Sequence, residues 1–333
     1  MAAIGALYPT LVDIVKRTDP NGQIAQTAEL LSKVNPILDD IPFVEGNLPT
    51  GHRYTGRTAL PSLGWRRFNQ GIAGSKSVTE QYDETCGMLE GYSYVDCGLA
   101  DLNGNAMRFR ADEDNAYVSA LNIEVANGLF YHNTSLNPEK FLGFMPRLNA
   151  TSGNPAAAQI IKADASASGS DQTSILLVGW SPQTAFTIFP KGSVGGLKSE
   201  DLGKQLMLDA SSNRYTAWTT HYIWKIGLCI KDYRYVVRIC NIDTSAWKAD
   251  LSAGADLVDC MLQARAALWE TNTVQPVFYM NRATFSMLNR QLMKKATVNL
   301  LEYIERGGNR IPAFLDIPIR IVDAITNTES VVS

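Results

Sequence analysis

The sequence predicts an α+β fold, and three observations carry this prediction. The segment that begins near residue 112 repeats apolar residues with the 3.6-residue period of a helix. From Ser174 onward, runs of β-branched and aromatic residues are typical of strands. Between residues 41 and 81, glycine and proline recur every few residues and separate short alternating pieces, which favours a two-stranded β excursion over a helix.

The size and composition of the chain exclude several protein classes. Its 333 residues, 45% of them hydrophobic, predict two or more lobes and exclude a disordered chain. A net charge of −3 excludes a general nucleic-acid-binding protein. No apolar run reaches the ~20 residues that span a bilayer, and the first residues lack the basic start of a signal peptide. We therefore expect no association with a membrane.

The candidate chemical motifs of the chain are weak. Its five cysteines and three histidines are dispersed, whereas a zinc site needs clustered ligands. His221 and Cys229 could form a nucleophilic pair, but a histidine in a predicted strand is more often an ordinary strand residue. We predict no catalytic, cofactor-binding or metal-binding residue, and we expect the cysteines to be small buried thiols in a reducing cytosol.

The first half of the chain contains a predicted arm and a predicted long helix. Residues 1–40 are expected to form an N-terminal arm, with helical spacing from 23 to 34. A second helix is predicted at 112–132, opened by Asp112, Glu113 and Asp114 at the positive end of the helix dipole. Its apolar face consists of Tyr117, Leu121, Val125 and Leu129.

The second half of the chain alternates predicted loops, strands and helices. Residues 141–173 are expected to form a surface loop or insertion, because few large apolar residues follow Ile161. A closing strand at 317–325 is expected at a sheet edge, because Pro318 has no backbone N–H. Further strands are predicted at 175–180, 184–189, 217–228 and 233–242, and amphipathic helices at 250–270 and 282–295.

The charges are separated along the chain. Residues 46–79 contain five Lys or Arg and no acid, whereas residues 80–114 contain nine acids and two Arg. An extended segment of one sign favours contact with a surface of the other sign. If that surface lies on another copy, the protein polymerises. The basic residues of the first block are Arg53, Arg57, Arg66, Arg67 and Lys76.

The run from Trp65 to Phe68, with Arg66 and Arg67 between them, allows two interpretations. Arginine beside aromatic residues can bind a nucleic acid, but Trp and Arg are also favoured anchors of protein interfaces. The sequence has no further basic patch, which favours a protein partner. We therefore predict intersubunit contacts through the five basic residues of this block, Trp65 and the acidic triplet at 112–114.

Several longer runs resemble the tailed-bacteriophage major capsid proteins of the HK97-like fold, in particular the group found in some short-tailed phages. They span almost the whole chain, and they consist of turn and shape residues rather than catalytic ones. These runs are KRTDPNG (16–22), VEGNLPTGH (44–52), NQGIAGSKS (69–77), FPKGS (189–193), WKIGL (224–228) and RICNID (238–243).

The resemblance implies the domain organisation of such a subunit. An extended E-loop would occupy 41–85 after the N-terminal arm at 1–40. Part of the P-domain would occupy 86–173 and include a spine helix at 112–132. Residues 174–300 would form mainly the A-domain with P-domain pieces, and residues 301–333 would close the core.

The resemblance also implies a function and partners. Many copies would assemble through hexamers and pentamers into an icosahedral shell that encloses phage double-stranded DNA. Assembly would take place in the host cytoplasm, with scaffolding, portal and decoration proteins as further partners, and the product would be the capsid of the virion. Two alternatives stay open at this point: an enzyme of unknown type on an α+β scaffold, and a nucleic-acid-binding module that uses the basic arm at 46–79.

Overall fold

The computed structural model describes residues 35–101, 106–153, 156–164, 167–209, 211–245, 254–294, 301–306 and 309–333. Most of the predicted N-terminal arm, including the helix predicted at 23–34, lies outside these residues. Within them, helices and strands are mixed along the chain, which confirms the predicted α+β class.

The described residues form six α-helices and fourteen strands. The helices are α1 (Ile37–Asp40), α2 (Cys97–Asp101), α3 (Ala106–Tyr131), α4 (Phe144–Arg147), α5 (Leu257–Ala267) and α6 (Arg282–Lys294). The first seven strands are β1 (Phe43–Glu45), β2 (Gly51–Ala59), β3 (Val78–Thr85), β4 (Gly87–Asp96), β5 (Ile160–Lys162), β6 (Gln172–Trp180) and β7 (Ala185–Phe189). The others are β8 (Leu197–Leu208), β9 (Arg214–Ile230), β10 (Val236–Asp243), β11 (Gln275–Met280), β12 (Leu301–Arg306), β13 (Asn309–Phe314) and β14 (Ile317–Ile321).

Strand β6 is the centre of the fold, and all of its residues are buried. It pairs antiparallel with β10 on one side and with β11 on the other. Because successive side chains of a strand point to opposite faces, Leu176 and Val178 join one hydrophobic cluster while Ile175 and Leu177 join another. A strand covered on both faces has a continuous apolar sequence, so the sequence-based prediction of this strand is confirmed.

Helix α3 packs on the first of these clusters. Its predicted apolar face is confirmed, because Leu121, Val125 and Leu129 are buried there and Tyr117 packs against them. The stacked rings of Tyr117 and Tyr222, with centroids 5.9 Å apart, join the helix to strand β9. Strand β9 pairs with β4 on one side and β8 on the other. The long helix therefore lies on strands β4, β9 and β8, which are part of the main sheet of twelve described strands.

The predicted start of the long helix is wrong. Helix α3 begins at Ala106, six residues before Asp112, so the acidic triplet at 112–114 lies beyond the first turn and does not cap the helix dipole. Tertiary contacts explain the longer helix. Phe109 is buried with residues of β4 and α2, and Arg110 stacks over Trp218 at 4.6 Å and pairs with Asp201 at 2.8 Å.

Two predictions for the second half of the chain are also wrong. The segment at 141–173 begins in the core rather than in a surface loop, because Phe141, Phe144 and Leu148 are buried. Strand β14 is not a sheet edge, because it pairs with β11 and with β13. Pro318 is tolerated because β11 pairs only from Ile319 onward, so the proline has a strand partner on one side only.

Three buried arginine–carboxylate pairs connect segments that are far apart in the sequence. All six side chains are mostly withdrawn from solvent, and each pair joins a peripheral segment to the core. The pairs are Arg147 with Glu84 at 2.6 Å, Arg238 with Glu329 at 2.8 Å, and Arg320 with Asp40 at 2.8 Å.

Candidate functional site

The candidate site is a β-hairpin that forms a sheet of its own. Strands β2 and β3 pair antiparallel from Gly51 opposite Thr85 to Arg57 opposite Thr79, apart from the main sheet. This confirms the predicted two-stranded excursion. Residues 60–77, which we call the tip segment, connect the strands without regular helix or strand, and nearly all of them are exposed.

Glycines allow close backbone approach at the base of the hairpin, both between its two strands and between the hairpin and the body. A Cβ on Gly51 would lie 1.9 Å from the Glu84 carbonyl oxygen, and a Cβ on Gly227 of strand β9 would lie 2.6 Å from the Thr85 carbonyl oxygen. No side chain fits in these gaps, since real Cβ atoms essentially never approach within 3.0 Å. By contrast, a Cβ on Gly71 in the tip segment would meet nothing within 4 Å. The hairpin is therefore tightly packed at its base and free at its tip.

A buried ion pair holds strand β3 to the body. The Arg147 guanidinium donates hydrogen bonds to both Glu84 carboxylate oxygens at 2.6 and 2.7 Å. The same group donates to the carbonyl oxygens of Leu142 and Leu228 at 3.2 and 3.1 Å. Burial alone would lower the pKa of the Arg147 guanidinium, but the hydrogen bonds and charge of Glu84 raise it, so the arginine stays charged.

Strand β2 has its own contacts with the body. The Tyr54 hydroxyl donates to the Ile230 carbonyl oxygen at 2.9 Å, and its ring stacks on Tyr82 of β3 with centroids 5.4 Å apart. His52 meets Phe186 of strand β7 edge to face at 5.8 Å. Both strands of the hairpin are thus connected to the core sheet at their inner ends.

The folded hairpin distributes its charges differently from the linear sequence. Strand β3 brings the acids at 80, 83 and 84 back beside β2, and Arg53 pairs with Asp83 at 2.6 Å while both remain about half exposed. The sequence led us to expect an arm of one charge sign. The two paired strands of the hairpin instead carry both signs. The charge of Arg53 is compensated within the hairpin. The four cations at 57, 66, 67 and 76 lie in exposed positions toward the tip.

The tip segment also exposes large apolar side chains. Trp65, Phe68 and Leu63 have exposed fractions of 105%, 96% and 93%, and Leu60 and Ile72 are exposed as well. Trp65 was predicted from the sequence as a contact residue, whereas the leucines and Ile72 were not. The sequence did contain a signal for their exposure: these apolar residues lie next to Gly and Pro and follow neither a helical nor an alternating period. Apolar residues this exposed on one contiguous segment are typical of an interaction site.

The acidic triplet of α3 is partly used inside the chain. Asp112, Glu113 and Asp114 are half-buried. The Tyr222 hydroxyl hydrogen-bonds to Asp114, and burial together with this bond raises the pKa of Tyr222. The triplet nevertheless places three carboxylates on one turn of the long helix.

A histidine lies between opposite charges near the base of the hairpin. The His132 ring is 3.2 Å from Glu124 and 3.3 Å from the Lys140 ammonium. Together with Gly87 of β4, these side chains line a small cavity of about 50 Å³. Burial, and then the charge of Lys140, lower the pKa of His132 despite the nearby carboxylate.

The other candidate motifs are not brought together. His221 stacks on Tyr92 at 4.4 Å near the middle of β9, whereas Cys229 is buried beside Phe186 at the end of that strand. All five cysteines are free thiols, and three of them are buried. Among the described residues, no group of three or more His, Cys, Asp or Glu could hold a metal ion, and no helix is long and apolar enough to span a membrane.

Comparison with known proteins identifies the family. The family model described as major capsid protein GP7 matches residues 19–333. The chain belongs to this family of major capsid proteins. The capsid protein is similar over its whole length to the solved structure of bacteriophage Epsilon15, with 36% identity, a TM-score of 0.81 and coverage of 100% of this chain and 99% of that chain. This similarity confirms the predicted HK97-like fold.

Two further solved structures match the capsid protein at much lower identity. The bacteriophage JBD30 capsid matches at 10% identity and a TM-score of 0.47, covering 96% of this chain and 99% of that one. The SrpI encapsulin of Synechococcus elongatus matches at 9% identity and a TM-score of 0.45, covering 71% and 97%. The comparison with curated proteins gives no match. As a major capsid protein, the chain is a self-associating structural component of a phage virion.

Proposed function

We propose that this capsid protein assembles through hexamers and pentamers into an icosahedral shell around phage double-stranded DNA. Assembly takes place in the cytoplasm of the bacterial host, and the role of the chain is structural rather than catalytic. Scaffolding, portal and decoration proteins are the further partners in this proposal, and DNA contacts the inner face without sequence specificity. Family membership and similarity over the whole chain support it.

We further propose that the tip segment binds another copy of the chain. The observation that carries this is the nearly complete exposure of Trp65, Phe68 and Leu63 beside four exposed cations. Burying a large apolar side chain contributes roughly 1.5–3 kcal/mol, whereas an exposed ion pair contributes roughly 0.2–1 kcal/mol. The apolar residues would therefore supply most of the affinity, and the cations would orient the contact.

The receiving surface in this proposal is acidic. The candidate is helix α3 of a neighbouring copy, where Asp112, Glu113 and Asp114 lie on one turn beyond the start of the helix. Cations of the tip segment would approach these carboxylates. In this proposal the E-loop comprises residues 41–85 and contains the hairpin, and the P-domain contains α3. Weak single pairs let misplaced subunits dissociate, which favours ordered shells.

The test is a double charge reversal in the tip segment. Arg66→Glu with Arg67→Glu should leave the subunit folded, because both side chains are exposed, and should abolish shells in electron micrographs. The matched control, Lys162→Glu with Lys191→Glu, reverses two exposed cations outside the hairpin and should assemble. Normal shells from the tip variant would overturn the proposed contact.

A second measurement separates protein contacts from binding of nucleic acid. Leu63 and Ile72 of the tip segment suit an apolar protein surface better than stacked bases. We therefore expect no specific binding of the unassembled subunit to single-stranded DNA. Tight binding that weakens steeply with salt and is lost in the Arg66→Glu, Arg67→Glu variant would favour the nucleic-acid-binding alternative.

A further inference from the structure

The buried Glu84–Arg147 pair connects the hairpin to the body. The side chains of Glu84 and Arg147 are only 11% and 4% exposed. The pair lies at the inner end of β3, while the exposed tip segment begins at the far end of the same hairpin. A small rotation at the inner end would move the tip by a large distance, so contacts at the base determine where the tip points.

The arginine joins several segments that converge on the base of the hairpin. Besides Glu84, it donates to Leu142 in the segment before α4, to Leu228 on β9 and to the Tyr233 hydroxyl. The guanidinium is planar and presents five donors in a fixed geometry. One side chain therefore fixes β3 relative to both the helical segment and the core sheet.

From these contacts we propose that Glu84 and Arg147 are positioning residues for assembly. They set the direction of the hairpin so that the tip segment of one copy reaches the next. The inference rests on the proposed function of the tip segment. The surrounding contacts fit this role: Gly51 and Gly227 pack backbone against backbone at the same place, and the Tyr54 hydroxyl bond to Ile230 secures the neighbouring strand.

The experiment compares hydrogen exchange and assembly in the same full-length variants. Glu84→Gln keeps the size and one acceptor oxygen of the side chain but removes the charge from a buried pair. We expect amides of β2 and β3 to exchange at least about tenfold faster than in the wild-type subunit, while amides of β6 stay protected. Shell formation should fall in parallel. Glu84→Asp, which keeps the charge, should restore part of both properties.

Control variants separate a failure of this inference from a failure of the proposed function. The Arg66→Glu, Arg67→Glu variant should lose shells while its hairpin exchanges as in the wild type. If that variant assembles into normal shells, the proposed function of the tip segment fails. If Glu84→Gln releases the hairpin but still forms normal shells, or leaves exchange in β2 and β3 unchanged, the positioning role is overturned and the proposed function stands.

If Glu84→Gln unfolds as a whole, a second variant that removes both charges still tests the proposal. Replacing both residues by Met leaves no unpaired ion in the core, a change that buried pairs often tolerate. A folded Glu84→Met, Arg147→Met subunit with faster exchange confined to β2 and β3, and with reduced assembly, would support the positioning role. Wild-type exchange in these strands, or unfolding of this variant as well, would overturn it by showing that the pair does not control hairpin placement separately from the fold.

Discussion

The glutamate near the C-terminus offers the sharpest test of how this subunit is held together. The Glu329 carboxylate accepts hydrogen bonds from the Tyr131 hydroxyl at 2.6 Å and from Arg238 at 2.8 Å, and the Ser174 hydroxyl donates to it as well. Burial, and then the charge of Glu329, raise the pKa of Tyr131, which keeps this phenol protonated as a donor. The group thus joins the last residues of the chain to α3, β6 and β10.

The expected cost of Glu329→Gln follows from the burial of this network. The Arg238 and Glu329 side chains are 5% and 6% exposed, and removing one partner of such a pair costs roughly 3–5 kcal/mol. Glutamine retains one acceptor oxygen, so we expect a loss of about 3 kcal/mol in the free energy of unfolding. That is a large share of the roughly 5–15 kcal/mol that stabilises a typical domain.

The assay is urea unfolding of the unassembled subunit, followed by circular dichroism. The matched control is Glu200→Gln, which removes an acid whose pair with Lys198 is exposed on both sides, at 51% and 58%. Exposed pairs contribute roughly 0–1 kcal/mol, so the control should unfold almost like the wild type. Equal losses in the two variants, or a loss below about 1 kcal/mol for Glu329→Gln, would refute the reasoning.

Two further predictions concern the base of the hairpin and the response to acid. Gly51→Ala should destabilise the hairpin, because its Cβ would lie 1.9 Å from the Glu84 carbonyl oxygen, whereas Gly71→Ala, with open space around it, should not. We expect faster hydrogen exchange of the β2 and β3 amides in the Gly51→Ala variant only. Equal exchange in the two variants would contradict this prediction. The pKa of His132 in the folded subunit is lowered from 6.5, so as the pH falls the unfolded chain binds a proton before the folded chain does. The contribution of His132 to stability is therefore present above about pH 6.5 and is lost as the pH falls through the lowered value. His132→Asn should therefore flatten the decline of unfolding free energy below pH 6.5, and an unchanged slope would show that His132 does not titrate in this way.

The sequence alone was sufficient for elements whose signal is local. The continuous apolar run around Leu176 and the spacing of Leu121, Val125 and Leu129 depend only on neighbouring positions, so the central strand and the apolar face of the long helix were correctly predicted. The longer runs from 16 to 243 were also sufficient to recognise the capsid family and its fold. Such patterns can be read without knowing which element packs against which, because the period of the apolar residues shows which side of an element is covered.

Extended strands with polar faces were harder to predict. Strand β8 at Leu197–Leu208 was missed, because most of its side chains are exposed and alternate only weakly between polar and apolar residues. The start of α3 was misplaced for a related reason. Phe109 and Arg110 are helical because of their contacts with β4, β8 and β9, and such contacts leave no local pattern.

Only the tertiary structure decided which charges meet. The basic and acidic blocks of the sequence suggested an arm of one sign, but β3 folds three acids back beside β2 and places Asp83 against Arg53. Arg147 meets Glu84 across 63 positions of sequence, and Arg238 meets Glu329 across 91. Charge order along a chain does not specify such pairs, because a buried ion is stable only where folding brings a compensating partner within hydrogen-bond distance.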